Sequence, residues 1–565
     1  MSKIELQEFE ENSLQPDPDL YQEEDNFPKK IEKEESRGSK TVYVIGCLSA
    51  LVALIAIYLL RKNVISPLHS GPRVLKSGVT YYLIPHSHDD RGWLETVKYY
   101  YERNVTRILD SSISALMKDP SRIFTYTEVG FLRMWADGRP DRQRMLKHLV
   151  ANGQLEMLNG GVSAHDNACP YYDDIVTNYE YGREWLYQTV GALPRSGWLI
   201  DPFGYSLTTT RLYSEMGYDN YVFNRITSIT KRRLMKNGQQ AFNWIFPDKP
   251  EFNMLTTVLG DHYNLPGFLR YDYYLAGVVT DIFDSKFDIM KIIDNVLEYY
   301  ILLNFDISFG DLDIAFIPFG DDFWYSNYTA QIVYLDQLVV FAACNNITGR
   351  VPGLKFVQSN INGFFTAFHD KLKEKRRTVK DLKQVVRGDF FPLVDSPKDT
   401  YGDLDRYKNE NHDPVGNMED SIPPIKDHYS WSGYFTTNPY QKKTMKSFGQ
   451  LTRYLKSFIA LEFASKRERD SAKIEELIEA MDWPQQIVGI YIHHDAITGT
   501  ARYRVVEDYL QMISNATIEL ERKVTPFILE KALSGCSSKP TKGNLVWPDR
   551  ENVLSSRSEE RRVGK

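Results

Sequence analysis

Four short motifs, far apart in the chain, each place acidic or histidine side chains after an apolar run. They read HSHDD, WLIDPFG, GDDF and HHD, and they occupy residues 86–90, 198–204, 320–323 and 493–495. In a fold of alternating strands and helices, residues that follow the strands meet at one end, where such folds carry their chemistry. One motif alone would carry little weight. The four together favour one composite site, and they constrain the fold to one that brings them together.

The composition is typical of an ordered globular protein. The chain has 565 residues, of which 42% are hydrophobic and 13% aromatic, and this length allows about two to four domains with their own cores. The formal net charge is −7, and most of it lies in residues 1–40, which carry 12 acidic and 6 basic side chains. No basic stripe is left for a nucleic-acid partner, so we exclude that class of protein.

Residues 42–60 form an uncharged apolar run of 19 residues, followed at once by Arg61 and Lys62. A helix of this length spans a hydrocarbon core of about 30 Å. A cleaved signal peptide is the alternative, but the 41-residue polar lead is longer than the usual n-region of a signal peptide. Five basic residues in 29–40 precede the run and fewer follow it, which favours a cytoplasmic N-terminus. We predict a signal anchor, with the large C-terminal part in a lumen.

Glycosylation sequons and sparse cysteines agree with this topology. Sequons begin at Asn104, Asn327, Asn346 and Asn515, although sequons also occur by chance. Of the 4 cysteines one lies in the apolar run, so the other three allow at most one internal disulfide. Because no Cys-x-x-Cys pair occurs, a zinc site built on cysteines is excluded.

The pattern of polar and apolar residues changes along the chain. We predict a disordered cytoplasmic tail (1–41), the membrane span (42–60) and a short stem (61–77). Beyond the stem, strand-like runs alternate with amphipathic helical stretches, which predicts parallel β-α-β units in an open sheet or a barrel. From about residue 440, apolar residues recur at three-to-four spacing, which indicates a helical bundle.

The last residues are unusual for a coding sequence. Residues 557–565 read RSEERRVGK and resemble a translated sequencing adapter. An ordinary charged tail is the alternative. On the first interpretation, we expect the chain to be a C-terminally truncated gene model.

The motifs suit a metal site with mixed ligands. His88 and Asp90 stand two residues apart after a strand, so their side chains point to the same side. Asp201 ends a buried strand, although a turn or helix-capping Asp is the alternative for it. In 493–495 two histidines precede an acid, with a pair of core histidines as the alternative. Nitrogen and oxygen ligands without thiolates favour Zn²⁺, with Mn²⁺ or Co²⁺ as alternatives.

In this order, the four motifs resemble glycoside hydrolase family 38, the class II α-mannosidases. The resemblance covers about 79–534. It includes the segments DPSR, NGQLE, GG, GDFF and WSGY at 119–122, 152–156, 160–161, 388–391 and 431–434.

The resemblance implies a retaining exo-α-mannosidase that acts on mannose-containing oligosaccharides such as N-glycans. It implies Asp201 as the nucleophile and Asp322 as the general acid/base, with the neighbouring Phe323 and Trp324 expected to raise the pKa of Asp322. The residues implied to bind one Zn²⁺ per chain are His88, Asp90, Asp201 and His494. The residues implied to contact the sugar are Trp93, Phe203, Arg225, Tyr263, Trp431 and Asp495.

The resemblance also implies the domain order. It predicts an α/β fold with a seven-stranded β/α barrel at 78–395 and a helical bundle at 396–540. Residues 541–556 would begin C-terminal β domains that are otherwise absent from this chain.

The location and the activity have alternatives. With the anchor, the resemblance favours a type II Golgi membrane protein with a lumenal catalytic part. A catabolic enzyme of the lysosome or endolysosomal membrane is the alternative, and a homodimer is left open. A catalytically impaired, metal-retaining glycan-binding protein and a zinc-dependent polysaccharide deacetylase are the rival functions.

Three departures from the family pattern bear on substrate specificity. The family usually has Pro or Val at the position of Arg91 and His at the position of Tyr205. After the glycine pair at 160–161, the segment VSAHDN replaces a Trp and further apolar residues. None of these changes removes an implied zinc ligand or either catalytic carboxylate.

Overall fold

The computed structural model describes residues 78–260, 262–264, 311–332, 335, 336, 339, 355–385, 388–393, 430–465 and 470–533. The predicted tail (1–41), membrane span (42–60), stem (61–77), start of a β domain (541–556) and adapter-like segment (557–565) all lie outside these residues. Within the described part, no helix combines the length and apolar character needed to cross a bilayer.

The described strands form two five-stranded sheets. The strands are β1 (Thr80–His88), β2 (Phe124–Tyr126), β3 (Leu155–Met157), β4 (Ser196–Leu199), β5 (Asn220–Phe223), β6 (Ala241–Ile245), β7 (Asn253–Val258), β8 (Ile314–Asp322), β9 (Lys355–Gln358) and β10 (Lys383–Val385). The first sheet has the order β3-β2-β1-β8, with β9 paired to the first half of β1, and all its pairs are parallel. The second has the order β10-β6-β7-β5-β4, in which only the β6–β7 pair is antiparallel.

Strand β1 is buried on both faces. Its residues from Leu83 to His88 are all buried: Leu83 belongs to the main hydrophobic core, whereas Ile84 belongs to a second core. The second core also contains Trp198 of β4 and Val222 of β5, so it joins residues of both sheets. Burial on both faces explains why these strands read as continuous apolar runs rather than as alternating patterns.

The predicted closed seven-stranded barrel is not seen in the described residues, where the two sheets are open. Between β3 and β4, the contacts of one residue, Asn159, take the place of a strand ladder, and its backbone amide donates to the Ser196 oxygen (3.1 Å). Asn159 follows β3 with a left-handed φ of 55°, and a chain in that conformation cannot continue an extended ladder. Its side-chain amide donates to the backbone oxygen of Trp198 (2.5 Å) and accepts from the Trp198 amide (2.6 Å). The prediction of a mixed α/β fold with parallel sheets is confirmed.

Helices connect and cover the strands. They are α1 (Val97–Tyr100), joined by a π-helical turn (Tyr101–Val105) to α2 (Thr106–Lys118), then α3 (Val129–Ala136), α4 (Pro140–Ala151), α5 (Tyr172–Val190), α6 (Leu207–Glu215), α7 (Ser228–Lys236) and α8 (Ile361–Glu374), followed by a 3₁₀ turn (Val379–Asp381). Glu156 of β3 accepts hydrogen bonds from the backbone amides of Ile361 (2.7 Å) and Asn362 (2.8 Å). Because these amides begin α8 and have no partner inside the helix, the carboxylate ties that helix to the sheet.

The C-terminal part of the described chain is helical. It contains a 3₁₀ turn (Ser432–Phe435), α9 (Pro439–Ala464), α10 (Ser471–Tyr491), α11 (Tyr503–Lys523) and α12 (Thr525–Leu533). Helix α10 packs against α5, α9 and α11, and the apolar residues Leu455 and Ile459 of α9 are buried as their spacing predicts. The domain boundaries at 396 and 540 stay predictions, because both lie outside the described residues.

Candidate active site

Two of the predicted site residues end neighbouring parallel strands. His88 closes β1, Asp322 closes β8, and the two residues are paired in register. Directly after Asp322, the Phe323 amide donates to the His88 backbone oxygen (2.9 Å). The sequence therefore places an imidazole and a carboxyl side by side, at the strand ends where α/β folds carry their sites.

Asp201 lies just beyond β4 and is held by an arginine from the loop that follows the neighbouring strand β5. Arg225, which follows β5, donates from Nε to Asp201 Oδ1 at 2.6 Å. The loop that carries Arg225 is itself fixed, because the backbone amides of Asn224 (3.1 Å) and Arg225 (3.0 Å) both donate to the hydroxyl of Tyr205. Tyr205 is one of the departures from the family pattern, and here it positions the partner of Asp201.

His494 reaches the same place from the helical region. It lies in the loop after α10, and its Nδ1 lies 2.9 Å from the Ala164 carbonyl oxygen. A carbonyl oxygen can only accept, so Nδ1 carries a proton, and Nε2 is the nitrogen turned toward the acids of the site. That nitrogen lies 3.1 Å from Asp201 Oδ2 and 3.3 Å from Asp90 Oδ1. The rings of His494 and His88 are 5.4 Å apart.

The four predicted metal ligands are brought together. His88, Asp90, Asp201 and His494 are buried, and each offers one ligand atom within 4.8 Å of the others. His88 Nε2 and Asp90 Oδ1 approach to 3.0 Å, yet neither has a well-formed hydrogen bond among the described residues. Buried polar atoms without partners are costly, and a bound cation would satisfy them. Two imidazole nitrogens and two carboxylate oxygens fit Zn²⁺.

His493 is a residue of this site whose role the sequence did not assign. Its side chain is fully buried, and Nε2 lies 3.4 Å from Asp90 Oδ1 and 3.9 Å from Asp495 Oδ2. Asp90, His493, His494 and Asp495 form a second ligand-like group that shares two members with the first. The adjacent histidines in the motif were the signal, but spacing alone could not show that both rings face Asp90.

The adjacent acids Asp322 and Asp321 have different hydrogen-bond partners. Asp322 Oδ1 accepts from the Tyr263 hydroxyl at 2.9 Å, whereas Asp321 accepts from the Asp322 amide (2.8 Å) and from Asn264, which anchors the loop. Burial raises the pKa of Asp322 to about 7, and the nearby carboxylates of Asp90 and Asp201 act in the same direction.

The expected role of Phe323 and Trp324 in raising the pKa of Asp322 stays a prediction. The Phe323 ring packs on Tyr100, with ring centroids 4.2 Å apart, and Trp324 packs on Phe319 at 5.9 Å. Phe323 has a left-handed φ of 51°, which turns the chain after β8.

Asp201 is held in the opposite protonation state. Burial alone would raise the pKa of Asp201, but the Arg225 guanidinium and the close approach of the His494 and His88 imidazoles outweigh burial and keep this pKa well below its usual value. Asp201 thus stays ionised, whereas Asp322 holds a proton near neutral pH. Such a pair can supply a nucleophile and an acid.

Most of the residues predicted to contact sugar lie around this pair. The Phe203 ring lies 5.9 Å from Trp431 and 6.1 Å from His494. The Arg225 guanidinium lies over the rings of Trp431 (5.6 Å) and Tyr263 (5.9 Å).

Two predicted sugar contacts have other neighbours. The Asp495 carboxylate accepts from the Thr500 hydroxyl (2.5 Å) and is buried beside His493. Trp93 is half-buried and packs against the main core. Among the described residues, no ring contact or side-chain hydrogen bond joins Trp93 to the other site residues.

The comparisons with known proteins agree with the geometry. The model of the glycosyl hydrolases family 38 N-terminal domain matches residues 78–393. The chain belongs to this family. The model of the alpha mannosidase middle domain matches residues 429–528, which include the HHD motif. The family resemblance predicted from the sequence is confirmed.

Curated relatives and a solved structure cover most of the described chain. The "Lysosomal alpha-mannosidase" of Dictyostelium discoideum is 27% identical over 459 residues, covering 79% of this chain and 40% of the relative. The "Lysosomal alpha-mannosidase" of Mus musculus is 28% identical over 454 residues, covering 77% of this chain and 40% of the relative. An alpha-mannosidase structure from Enterococcus faecalis V583 aligns with a TM-score of 0.55 and 15% identity, over 80% of this chain and 43% of that one. The matched part is thus less than half the length of these proteins.

Proposed function

We propose that the protein is a zinc-dependent retaining exo-α-mannosidase that hydrolyses α-mannosidic bonds of N-glycans. The observation that carries the proposal is the double environment of Asp201. One carboxylate oxygen lies against Arg225, and the other lies within the group of ligand atoms formed with His88, Asp90 and His494. Asp322, which can hold a proton, ends strand β8 and is paired in register with His88 at the end of the neighbouring strand β1.

The proposed reaction has two steps. In the first, ionised Asp201 attacks the anomeric carbon while Asp322 gives its proton to the departing glycosidic oxygen, so that the glycosidic bond breaks and a glycosyl ester forms. In the second, Asp322, now ionised, takes a proton from a water whose oxygen attacks the same carbon and releases Asp201. Two inversions leave the α configuration unchanged.

His88, Asp90, Asp201 and His494 would hold the metal. When bound, Zn²⁺ would supply a Lewis-acid contact for mannose hydroxyls and so orient the sugar. The chain's own residues do the rest: Arg225 keeps Asp201 ionised and aimed, and Tyr263 holds Asp322. Phe203 and Trp431 would line the apolar face of the ring, and Asp495 and Trp93 complete the proposed sugar contacts.

Turnover and trapping test this proposal. The protein should hydrolyse 4-nitrophenyl α-mannopyranoside, and Asp201→Ala should reduce kcat by several orders of magnitude. Incubation with a 5-fluoro-mannosyl fluoride should add one glycosyl group to the peptide that contains Asp201. A metal-binding protein with no turnover and no labelled peptide would support the glycan-binding alternative instead.

We further propose that residues 42–60 anchor the protein in the Golgi membrane with the catalytic part in the lumen. The apolar run and the basic residues that precede it support this orientation. An endolysosomal location is the alternative. Immunolocalisation with protease protection of the intact membranes tests both points: digestion of the catalytic part from the cytoplasmic side would exclude either lumenal location.

A further inference from the structure

A cavity of about 400 Å³ lies beside the start of helix α9, among residues that the proposed reaction does not use. We call it the lysine pocket. Its lining includes Tyr171, Phe435, Lys442, Lys443, Lys446 and Gln450. A cavity of this size is in the range of sites for small ligands.

The lysine pocket carries positive charge that no acidic residue of its lining neutralises. Three lysines line it, and no Asp or Glu does. Within the described part of the chain, Lys443 and Lys446 form no ion pair, and the first turn of α9 contains no acidic residue. Charges of one sign concentrated in a concave surface attract ligands of the opposite sign.

Lys442 gives the clearest indication of an anionic ligand. Its side chain is buried, with 8% of the residue exposed, and Nζ donates to the backbone oxygens of Thr498 (2.8 Å) and Thr437. One of the three ammonium hydrogens is therefore left over. Asp166 acts on Lys442 only from a distance, and its Oδ2 accepts from the Cys169 amide (2.6 Å). A buried cation without a paired anion is costly, and an anion in the pocket would offset that cost.

An aromatic ring stands beside these charges. Tyr171 is 41% exposed, and Lys446 Nζ lies 4.5 Å from the centre of its ring. An exposed ring of this kind can pack on the apolar face of a sugar, because it combines a large apolar face with a polar edge. The pocket therefore suits an anion carried on a sugar better than a free inorganic ion.

The lysine pocket is close to the candidate active site. The 3₁₀ turn Ser432–Phe435 begins next to Trp431, whose ring faces Phe203, and ends with Phe435, which lines the pocket. At a rise of about 2 Å per residue, Trp431 and Phe435 lie about 8 Å apart. Tyr434, between them, donates to the Phe203 backbone oxygen at 3.1 Å.

From this geometry we infer that the lysine pocket binds a phosphate or sulfate ester carried on a mannose-containing glycan. The lysines act as point charges for the ester oxygens, and Tyr171 packs on the sugar that bears it. The inference rests on the proposed function only for the identity of the sugar, since the charge of the pocket does not depend on catalysis.

Isothermal titration calorimetry of the full 565-residue chain at low ionic strength tests the inference. The titrants are mannose 6-phosphate, mannose 6-sulfate, mannose and inorganic phosphate. We expect the two charged sugars to bind about tenfold more tightly than either mannose or phosphate alone. In Lys443→Gln/Lys446→Gln this advantage should disappear. In the control Lys456→Gln/Lys473→Gln, which removes two lysines of the same helical region outside the pocket, it should remain.

Three results would overturn the inference: equal affinity for mannose and its charged esters, equal affinity for inorganic phosphate and mannose 6-phosphate, or unchanged binding in the pocket variant. The assay measures no turnover, so it separates the two proposals. Asp201→Asn should keep the lysine-dependent binding even though it removes the proposed nucleophile. If the protein shows that binding but does not hydrolyse an aryl mannoside, the proposed function is contradicted and the inference about the lysine pocket stands.

Discussion

At the scale of single residues, the two oxygens of Asp201 have separate neighbours. Oδ1 faces the Arg225 guanidinium, and Oδ2 faces His494 and His88. The sequence marks Asp201 as an acid held at a strand end, and the family resemblance adds Arg225. Neither shows that the two side chains touch, because the contact depends on how the loops after β4 and β5 fold toward each other.

The protonation of Asp322 predicts the pH dependence of the proposed reaction. The pKa of Asp322 is raised to about 7 by burial, so the acid is present below that pH and is lost as pH rises through it. We expect kcat/KM to fall above about pH 7 and to fall again only at strongly acidic pH, where Asp201 becomes protonated. The measurement is a pH–rate profile with an aryl mannoside.

Asp322→Asn is the control for that assignment. Asn cannot lose a proton in this range, so the basic limb should vanish, and substrates with poor leaving groups should lose more rate than aryl mannosides. A basic limb that survives unchanged in Asp322→Asn would belong to another group.

A second prediction concerns Tyr205. Tyr205→Phe removes the hydroxyl that accepts from the amides of Asn224 and Arg225, so one buried and one part-buried backbone donor lose their acceptor. We expect a loss of about 1–3 kcal/mol in the free energy of unfolding and a lower kcat, because Arg225 is no longer fixed. Chemical denaturation and steady-state kinetics measure the two effects.

Tyr221→Phe is a matched control. The Tyr221 hydroxyl is also buried, but it has no hydrogen-bond partner among the described residues. Its removal should be close to neutral for both stability and kcat. Equal losses in the two variants would mean that the hydroxyl of Tyr205 has no special role.

At the scale of elements, Asn159 links the two sheets. It combines a left-handed backbone with a side chain that pairs with both backbone groups of Trp198. Asn159→Ala should therefore lower the free energy of unfolding by about 3 kcal/mol. The loss has two sources: the backbone N–H and C=O of Trp198 lose their partner, and Ala is strained in the left-handed conformation. Asn159→Gly removes the side chain but tolerates the backbone, so it should lose less. If both variants unfold at the denaturant concentration of the wild type, Asn159 does not link the sheets.

The sequence predicts the strands and helices better than it predicts whether the strands close into a barrel. Alternating strand-like and helical runs predicted parallel β-α-β units, and burial of β1 on both faces explains why that signal was clear. Whether the strands close into a barrel depends on single junctions such as the one at Asn159. The residues around Asn159 in the sequence do not show whether it links two strands in a left-handed conformation or only forms an ordinary turn. Closure of the predicted barrel is therefore not seen in the part of the chain that the structure describes, at a junction where local sequence pattern carries no information.

At the scale of the whole molecule, the site is completed by residues from both matched regions. His88, Asp90 and Asp201 come from the part that matches the N-terminal domain, whereas His494 comes from the part that matches the middle domain. Backbone hydrogen bonds hold the regions together here: the amide of Asp166 donates to the Ile492 oxygen (2.9 Å), and the amide of His494 donates to the Ala164 oxygen (3.3 Å). The four motifs predicted that residues of both regions form one site. Only the structure shows that a second buried histidine, His493, belongs to it.

The metal content of the purified protein tests the central claim most directly. Inductively coupled plasma mass spectrometry should find about one zinc per chain, since four neutral or anionic ligands converge on one point. His494→Ala should lower the zinc content to near zero, because it removes the ligand from the second region. His165→Gln should keep it, because His165 is equally buried but bonds to Tyr179 and Thr209 instead. A wild-type chain without zinc after growth in its presence, or a His494→Ala variant with undiminished zinc, would contradict the account.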